Sequence, residues 1–300
     1  MSQMSEQEDS MYEGGQKASR LRSVTTLIGK LFQPRSAKLG GAIIAAIFGL
    51  VLIGSLVVPY SPTAIVGSLN SPPSFAHPLG TDYLGHDILS QVIWGAYPSL
   101  FVALYAAAGA TLLGFFAGIL AGYFGKLEAV IGGATDVVMA FPALPLLILL
   151  GTIFLGHTDL TGIFLILILW APAARSVRAQ VASVKNLTYV DAARTSGLND
   201  RQIVLKIILF EVGSIGIAYF IINLALNIVI VTALEFLGVG NPLVVSWGSI
   251  LYWAQQYAFN LGDWWWILAP GFIITLTATA FALIGFSVEE ILNPRIRGQR

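Results

Sequence analysis

In 300 residues, 56% are apolar, 11% are charged and the mean hydropathy is +0.78. A soluble domain carries about a quarter charged residues, so this composition excludes a soluble globular protein and points to a chain that lives in a bilayer. Cysteine is absent and sixteen Lys and Arg balance sixteen Asp and Glu, which excludes disulfide and thiol chemistry and conceals a strong sidedness.

The chain opens on a polar stretch, Met1–Ser19, expected to be disordered. It lacks the apolar core of a cleavable leader, so the first span is expected to serve as its own insertion signal. Leu21, Val24, Leu27, Ile28, Leu31 and Phe32 then recur at helical spacing among Arg20, Arg22 and Lys30. That is the pattern of a basic amphipathic helix on the inner leaflet, ended by Pro34; a loose tail is the other reading. Six long apolar runs follow, near Leu39–Tyr60, Pro98–Tyr123, Val137–Leu155, Gly162–Val181, Ile207–Leu237 and Trp264–Phe286, each long enough to cross a hydrocarbon core that needs about 20 residues.

The basic residues sort to one set of alternate loops and the span ends beside them. Lys17, Arg20, Arg22, Lys30, Arg35 and Lys38 precede the first run, and Lys126 lies between the second and third. Arg175, Arg178, Lys185, Arg194, Arg201 and Lys206 lie between the core of the fourth run and the fifth, and Arg295, Arg297 and Arg300 follow the sixth. The other three loops hold none. Lys and Arg are retained on the cytoplasmic side, so an all-α protein with six spans and both termini in the cytoplasm is expected.

The spans themselves carry little chemistry. No central Asp, Glu, Lys, Arg or His occupies any of them; Asp136, Glu211 and Glu235 lie near their ends. A carrier driven by protons or sodium usually keeps a titrating group at the midplane, so the alternative of a secondary transporter is weakened, as is a channel with a charged filter. The fifth run does carry Tyr219, Asn223 and Asn227 about one turn apart on one face. Two readings stay open there, a polar path for solute or hydrogen bonds between helices. Gly114, Gly118 and Gly122 recur every fourth residue in the second run and allow close helix packing, and Pro142 and Pro145 are expected to kink the third.

The cytoplasmic loop from Lys185 to Lys206 is patterned as helix, break, helix. Thr188 with Asp191 three residues on resembles a capping box, so a short helix is expected from Tyr189 through Val190, Asp191, Ala192, Ala193 and Arg194, ended by Gly197. Asn199 with Gln202 marks a second start that runs into the fifth span. Small Ala192 and Ala193 let another surface approach closely. A connector packed only on its own protein is the alternative.

The external loop Ser61–Gln91 holds His77, Asp82, His86 and Asp87 among many Gly and Pro. These are metal-binding residue types, but their spacing matches no compact zinc pattern, so no metal site is expected and a folded turn structure is. The loop Gly238–Asp263 carries Trp247, Tyr252, Trp253 and Tyr257, candidates for stacking on solute, and Trp264, Trp265 and Trp266 form an expected interfacial belt. Neither a phosphate-binding loop nor a hydrolase or zincin motif occurs, so no membrane-embedded enzyme is indicated.

Several of these segments carry a resemblance. Asp191-Ala192-Ala193, Gly197 and Ile207-Ile208-Leu209 resemble the Glu-Ala-Ala loop motif of permease subunits of ABC importers, with Asp for Glu and Phe210 for the closing Pro. His77-Pro78-Leu79-Gly80-Thr81-Asp82-Tyr83-Leu84-Gly85-His86-Asp87 is similar to a signature of the C-type permease of the dipeptide and oligopeptide importers, with His86 in place of Arg. Gly122-Tyr123-Phe124-Gly125, Asp136 through Pro142, Phe236 through Gly240, Ser246-Trp247-Gly248 and Asn293-Pro294-Arg295 match further signatures in order, and Phe286 stands where the family has Asp.

The resemblance implies the type I ABC importer permease fold. Residues 1–38 would form a cytoplasmic tail, 39–60 the first span, 61–97 an external loop and 98–286 a five-span core. Within that core, 183–206 would be the coupling loop and 238–263 an external loop; 287–300 would form a cytoplasmic tail. Tyr189, Val190, Asp191, Ala192, Ala193, Arg194 and Gly197 would form the helix that docks on an ATPase. His77, Gly80, Asp82, Gly85 and Asp87 would serve as an external gate or a contact for the binding protein. The chain would be a non-catalytic subunit in the cytoplasmic membrane, binding no cofactor, with ATP and Mg on partner chains. The implied partners are a B-type permease, two ABC ATPases, an extracytoplasmic solute-binding protein and lipid, but no nucleic acid. Peptide is the expected cargo, with oligosaccharide close behind and nickel carried by near relatives.

Overall fold

The computed structural model describes residues 34–57, 60–154 and 158–292. The expected amphipathic helix at Leu21–Phe32, the tail motif at Asn293 and the basic residues Lys17, Arg20, Arg22, Lys30, Arg295, Arg297 and Arg300 lie outside them. The described chain is helical: α1 (Arg35–Val57), α2 (Ile88–Tyr123), α3 (Gly125–Ala140), α4 (Ala143–Ile153), α5 (Thr158–Val184) and α6 (Thr188–Thr195). After these come α7 (Asp200–Ile203), a π-helical turn (Val204–Ile208), α8 (Leu209–Phe236), α9 (Trp247–Leu261) and α10 (Trp264–Leu292). Two isolated β-bridges, Ile65 to His86 and Thr81 to Asp87, pin the external loop.

α1, α2, α5, the run from α7 through α8, and α10 are each long and apolar enough to cross a membrane. The third expected span, Val137–Leu155, is instead broken. α3 and α4 meet at 82°, with Phe141 (φ −90°, ψ 136°) and Pro142 (φ −67°, ψ 120°) both extended. A proline disfavours the helical region for the residue before it, and here the kink expected from Pro142 and Pro145 is a full break at Phe141, with Pro145 inside the first turn of α4. The prolines that lie inside helices, Pro98, Pro172 and Pro270, leave those helices unbroken.

The packing of α2 on α5 decides whether the broken pair crosses. A Cβ placed on Gly109 would meet the Ile166 side chain at 2.3 Å, on Gly114 the Trp170 carbonyl at 2.4 Å, on Gly118 the Ala174 carbonyl at 2.7 Å, and on Gly122 the Arg178 carbonyl at 2.8 Å. Both series of numbers rise together, so α2 and α5 run parallel, backbone to backbone, as small residues permit. Two parallel spans require the chain between them to return, and α3 with α4 makes that return. The described residues therefore cross six times. α8 runs antiparallel to α2, with Gly216 against Phe115 and Asn223 against Thr111. α1 runs antiparallel to α10, tied by Ser36 to Ser287 and by Gly40 against Ala280.

Two expectations at the segment boundaries are corrected. The second span begins at Ile88 rather than Pro98 because Asp87 caps the helix there, accepting from the backbone N–H of Ser90. The loop Gly238–Asp263 contains the helix α9, whose Trp247 is fully buried in the external core with Ile88, Val92, Ile250 and Trp266. Of the expected belt, Trp264 is 61% exposed whereas Trp266 is 1% exposed, so only the former faces outward as a belt residue does.

Candidate functional site

The segment between α5 and α8 is built as the spacing predicts, with one correction. α6 occupies Thr188–Thr195, but its cap is Leu187, which supplies no side-chain hydrogen bond. The expected Thr188–Asp191 capping box does not form because Thr188 is already the first helical residue, and the Asp191 carboxylate turns to Arg194, which donates from Nη1 at 3.1 Å. Gly197 ends the helix at φ +91° with open space around it, the left-handed conformation that glycine takes without strain. The second capping box is present: Asn199 Oδ1 accepts from the Gln202 N–H at 2.9 Å, and Gln202 Oε1 accepts from the Asn199 N–H at 3.0 Å.

Replacement of the family proline by Phe210 leaves α7, the π turn and α8 continuous from Asp200 to Phe236. In the π turn, five residues per hydrogen bond stand where four are usual. This reorients Ile203 and Ile208 so that both are fully buried.

Exposure along α6 is one-sided. Val190 is fully buried, whereas Tyr189, Asp191, Ala192, Arg194 and Thr195 are exposed and Ala193 is half-buried. Val190 plugs a cytoplasmic cluster with Phe115 and Ile119 of α2, Val177, Val181 and Val184 of α5, and Ile203, Ile208 and Val212 of the fifth span. Burial first, then the neighbouring Glu211 carboxylate and its hydrogen bond, raise the Tyr189 hydroxyl above its ordinary pKa. α6 is thus held by one apolar side and shows the other to solvent.

The external signature folds into a tight clip. Asp82, 3% exposed, accepts through Oδ1 from the N–H groups of Leu84 and His86, each at 2.9 Å. Its Oδ2 meets His86 Nδ1 at 2.8 Å and accepts from Gln91 Nε2 at 2.8 Å. Asp87 accepts through Oδ2 from the N–H and hydroxyl of Ser90, and its Oδ1 meets His77 Nδ1 at 3.0 Å. The two His and two Asp thus make two separate pairs, and no group of three or more metal-ligating side chains occurs among the described residues. Gly80 (φ +75°) runs against the Ser71 carbonyl and the Trp265 ring, and Gly85 (φ +85°) against the Gly67 carbonyl; both need a positive φ and the absence of a Cβ.

Beside the clip, a cleft of about 160 Å³ is lined by Tyr83, His86, Gln91, Leu243, Trp253 and Trp266, among others. Tyr83 stacks on Tyr257 at 4.0 Å. Burial, then Tyr257 and Asp82, raise the Tyr83 hydroxyl above its ordinary pKa. The aromatics expected to await solute are therefore largely engaged with one another.

On α8, Tyr219 donates to Ser176 of α5 and Asn223 Nδ2 donates to Thr111 of α2 at 3.0 Å. Both contacts join helices, as one of the two open readings required. Asn227 Nδ2 donates to the Asn223 carbonyl at 2.8 Å, while its Oδ1 is buried without a partner. The outer end of α8 is fastened by Glu235, which accepts from the Ser246 hydroxyl at 2.7 Å. Sequence reasoning left Glu235 and Ser246 unconnected; the signal was a lone carboxylate at the end of an apolar run.

A parallel helix pair packed through glycines, a broken span between them and a one-sided helix on a basic loop together fit a multi-pass membrane protein. Residues 110–298 match the family of binding-protein-dependent transport system inner membrane components. The chain is 31% identical over 270 residues to a Brucella suis protein named provisionally as a peptide transport system permease, covering 89% of this chain and 90% of that one. It is 32% identical over 279 residues to the dipeptide transport system permease protein of Bacillus subtilis, covering 89% and 84%. It is 32% identical over 269 residues to the glutathione transport system permease protein of Pectobacterium atrosepticum, covering 85% and 87%. The chain belongs to the binding-protein-dependent inner-membrane component family and is a permease subunit of an ABC importer.

Proposed function

We propose that this chain forms half of a translocation pathway for short peptides and is driven by ATPases that dock on α6. The carrying observation is the exposure of that helix: a basic-flanked segment whose one buried apolar side chain is Val190, with Tyr189, Asp191, Ala192 and Arg194 turned outward. Small Ala192 permits close approach and Gly197 gives the sharp exit. An ATPase subunit with a cleft for one helix fits that surface. Asp191 and Arg194 then act at its rim, where exposed charges contribute modestly.

Cargo follows from the company the chain keeps. The three relatives above are named for peptide, dipeptide and glutathione, itself a tripeptide, and this supports peptide over oligosaccharide. Six spans supply one side of a pore, so a second, B-type permease is the natural partner, with an external binding protein delivering solute to the face that carries the His77–Asp87 clip. This chain acts without chemistry of its own: ATP and Mg belong to the ATPases, and both termini lie in the cytoplasm with the basic loops.

The test is a pull-down from native membranes followed by mass spectrometry, with Ala192→Arg and Gly197→Trp beside wild type. Wild type is expected to bring down two ATPases and a second permease, and the variants to keep the permease and lose the ATPases. Absence of any ATPase with wild type would overturn the reading. Uptake of a labelled dipeptide against maltotriose in proteoliposomes decides the cargo.

A further inference from the structure

The Gly122-Tyr123-Phe124-Gly125 signature at the end of α2 has no part in docking as described, yet it meets the coupling segment at several atoms. The Tyr123 hydroxyl donates to Asp200 Oδ1 at 2.7 Å, at the first residue of α7. Arg194 of α6 reaches the same hydroxyl from Nη2 at 3.5 Å while holding Asp191 with Nη1. Lys185 Nζ donates to the Gly122 carbonyl at 2.8 Å. The Tyr123 ring packs on the cytoplasmic cluster that receives Val190. Phe124 (φ −98°, ψ 105°) then turns the chain from α2 into α3.

α6 is continuous in the chain with α5 before it and with α7 and α8 after it, but not with α2. Apolar contacts through the Val190 cluster hold α2 close yet are non-directional and permit sliding. Hydrogen bonds prefer a narrow range of angles and lengths, so a bond from a tyrosine at the last turn of α2 fixes the register of that helix against the coupling segment.

Building on the docking role assigned above, we propose that Tyr123 is a positioning residue for transport. Through its hydroxyl, the bond to Asp200 and the contact from Arg194 make α2 follow α6 when an ATPase moves it. α2 packs closely against the α5 backbone along Gly114 to Gly122, so a pull at Tyr123 moves two spans as one body. Without the hydroxyl, α6 still docks and the ATPases still turn over, but part of the stroke is lost as slip between α6 and α2.

The experiment uses the complete complex in proteoliposomes with its binding protein, scoring peptide transported per ATP hydrolysed. Tyr123→Phe removes the hydroxyl and keeps the ring. It is expected to assemble, to hydrolyse ATP within about twofold of wild type, and to lower the transport-to-hydrolysis ratio roughly two- to tenfold, the span of one lost hydrogen bond. Asp200→Ala should match it, Asp200→Asn, which keeps an acceptor oxygen, should restore most of the ratio, and the double variant Tyr123→Phe with Asp200→Ala should be no worse than either single one.

An unchanged ratio in Tyr123→Phe overturns the proposal, as does a parallel fall of hydrolysis and transport, which marks a purely structural role. Should Tyr123→Phe not assemble, Asp200→Ala against Asp200→Asn reads the same bond from its other end, and equal ratios there overturn it. A wild-type complex that neither binds ATPases nor transports overturns the docking reading itself, an outcome separate from the others.

Discussion

At Asp82 one buried carboxylate organises the whole external clip. It gathers two backbone N–H groups, His86 and Gln91 while 3% exposed. Removing an acceptor that leaves buried donors without partners costs the desolvation of each. Asp82→Ala is therefore expected to destabilise the protein by about 2–4 kcal/mol, and Asp82→Asn, which keeps one oxygen, by less. Thermal denaturation of the detergent-purified protein checks this: equal midpoints for Asp82→Ala and wild type would show that the clip carries no weight. The sequence placed His77, Asp82, His86 and Asp87 in one turn-rich loop, so the existence of a folded clip was legible. Which His meets which Asp was not, because that depends on the positive φ of Gly80 and Gly85 and on the docking of Trp265, all set by contacts distant in sequence. Asp87 at the cap of α2 was readable from Ser90 three residues on, but apolar runs alone moved the expected start to Pro98.

Among the elements, the α2–α5 pair is the one on which the rest is hung, and its glycines are its mechanism. At Gly118 a side chain would meet the Ala174 carbonyl at 2.7 Å and the Val177 Cβ at 2.7 Å, neither of which yields without separating the helices. Gly118→Leu is expected to cost about 1–3 kcal/mol or more and to lower the yield of monodisperse protein by size exclusion. Gly49→Leu, on α1 with nothing within 4 Å, stays within about 0.5 kcal/mol. Equal behaviour of the two would mean that the close approach is not needed. Regular elements such as these were legible because apolar length and four-residue spacing survive in the sequence. α9 was not: its fifteen residues are rich in aromatics and lie between two spans, so they read as an external loop with aromatics open to solute until Trp247 is seen buried under α2. The break at Phe141 was visible as a kink but not as an 82° bend, since proline fixes the residue before it and not the direction in which the next helix finds its partners.

Across the whole molecule, the parallel course of α2 and α5 and the sorting of the basic residues are independent facts that constrain each other. The packing requires the pair α3 and α4 to recross. Had that pair turned back, Arg175, Arg178, Lys185, Arg194, Arg201 and Lys206 would face outward, against the tendency that keeps Lys and Arg inside. With six crossings the Lys and Arg of the described residues, Arg35 and Lys38, Lys126, and the six from Arg175 to Lys206, fall on one side, although neither charge nor packing was used to derive the other. The absence of cysteine makes the sidedness measurable with single exposed replacements. Ser68→Cys in the external clip and Ser196→Cys after α6 both lie at exposed positions. In intact cells with a permeable outer barrier, a membrane-impermeant maleimide is expected to label Ser68→Cys and to leave Ser196→Cys unlabelled until the inner face is opened. Labelling of Ser196→Cys from outside would invert the topology and place α6 beyond the reach of any cytoplasmic ATPase. Labelling of both from one side would instead require an even number of crossings between them, in conflict with the parallel register of Gly114, Gly118 and Gly122 on α5.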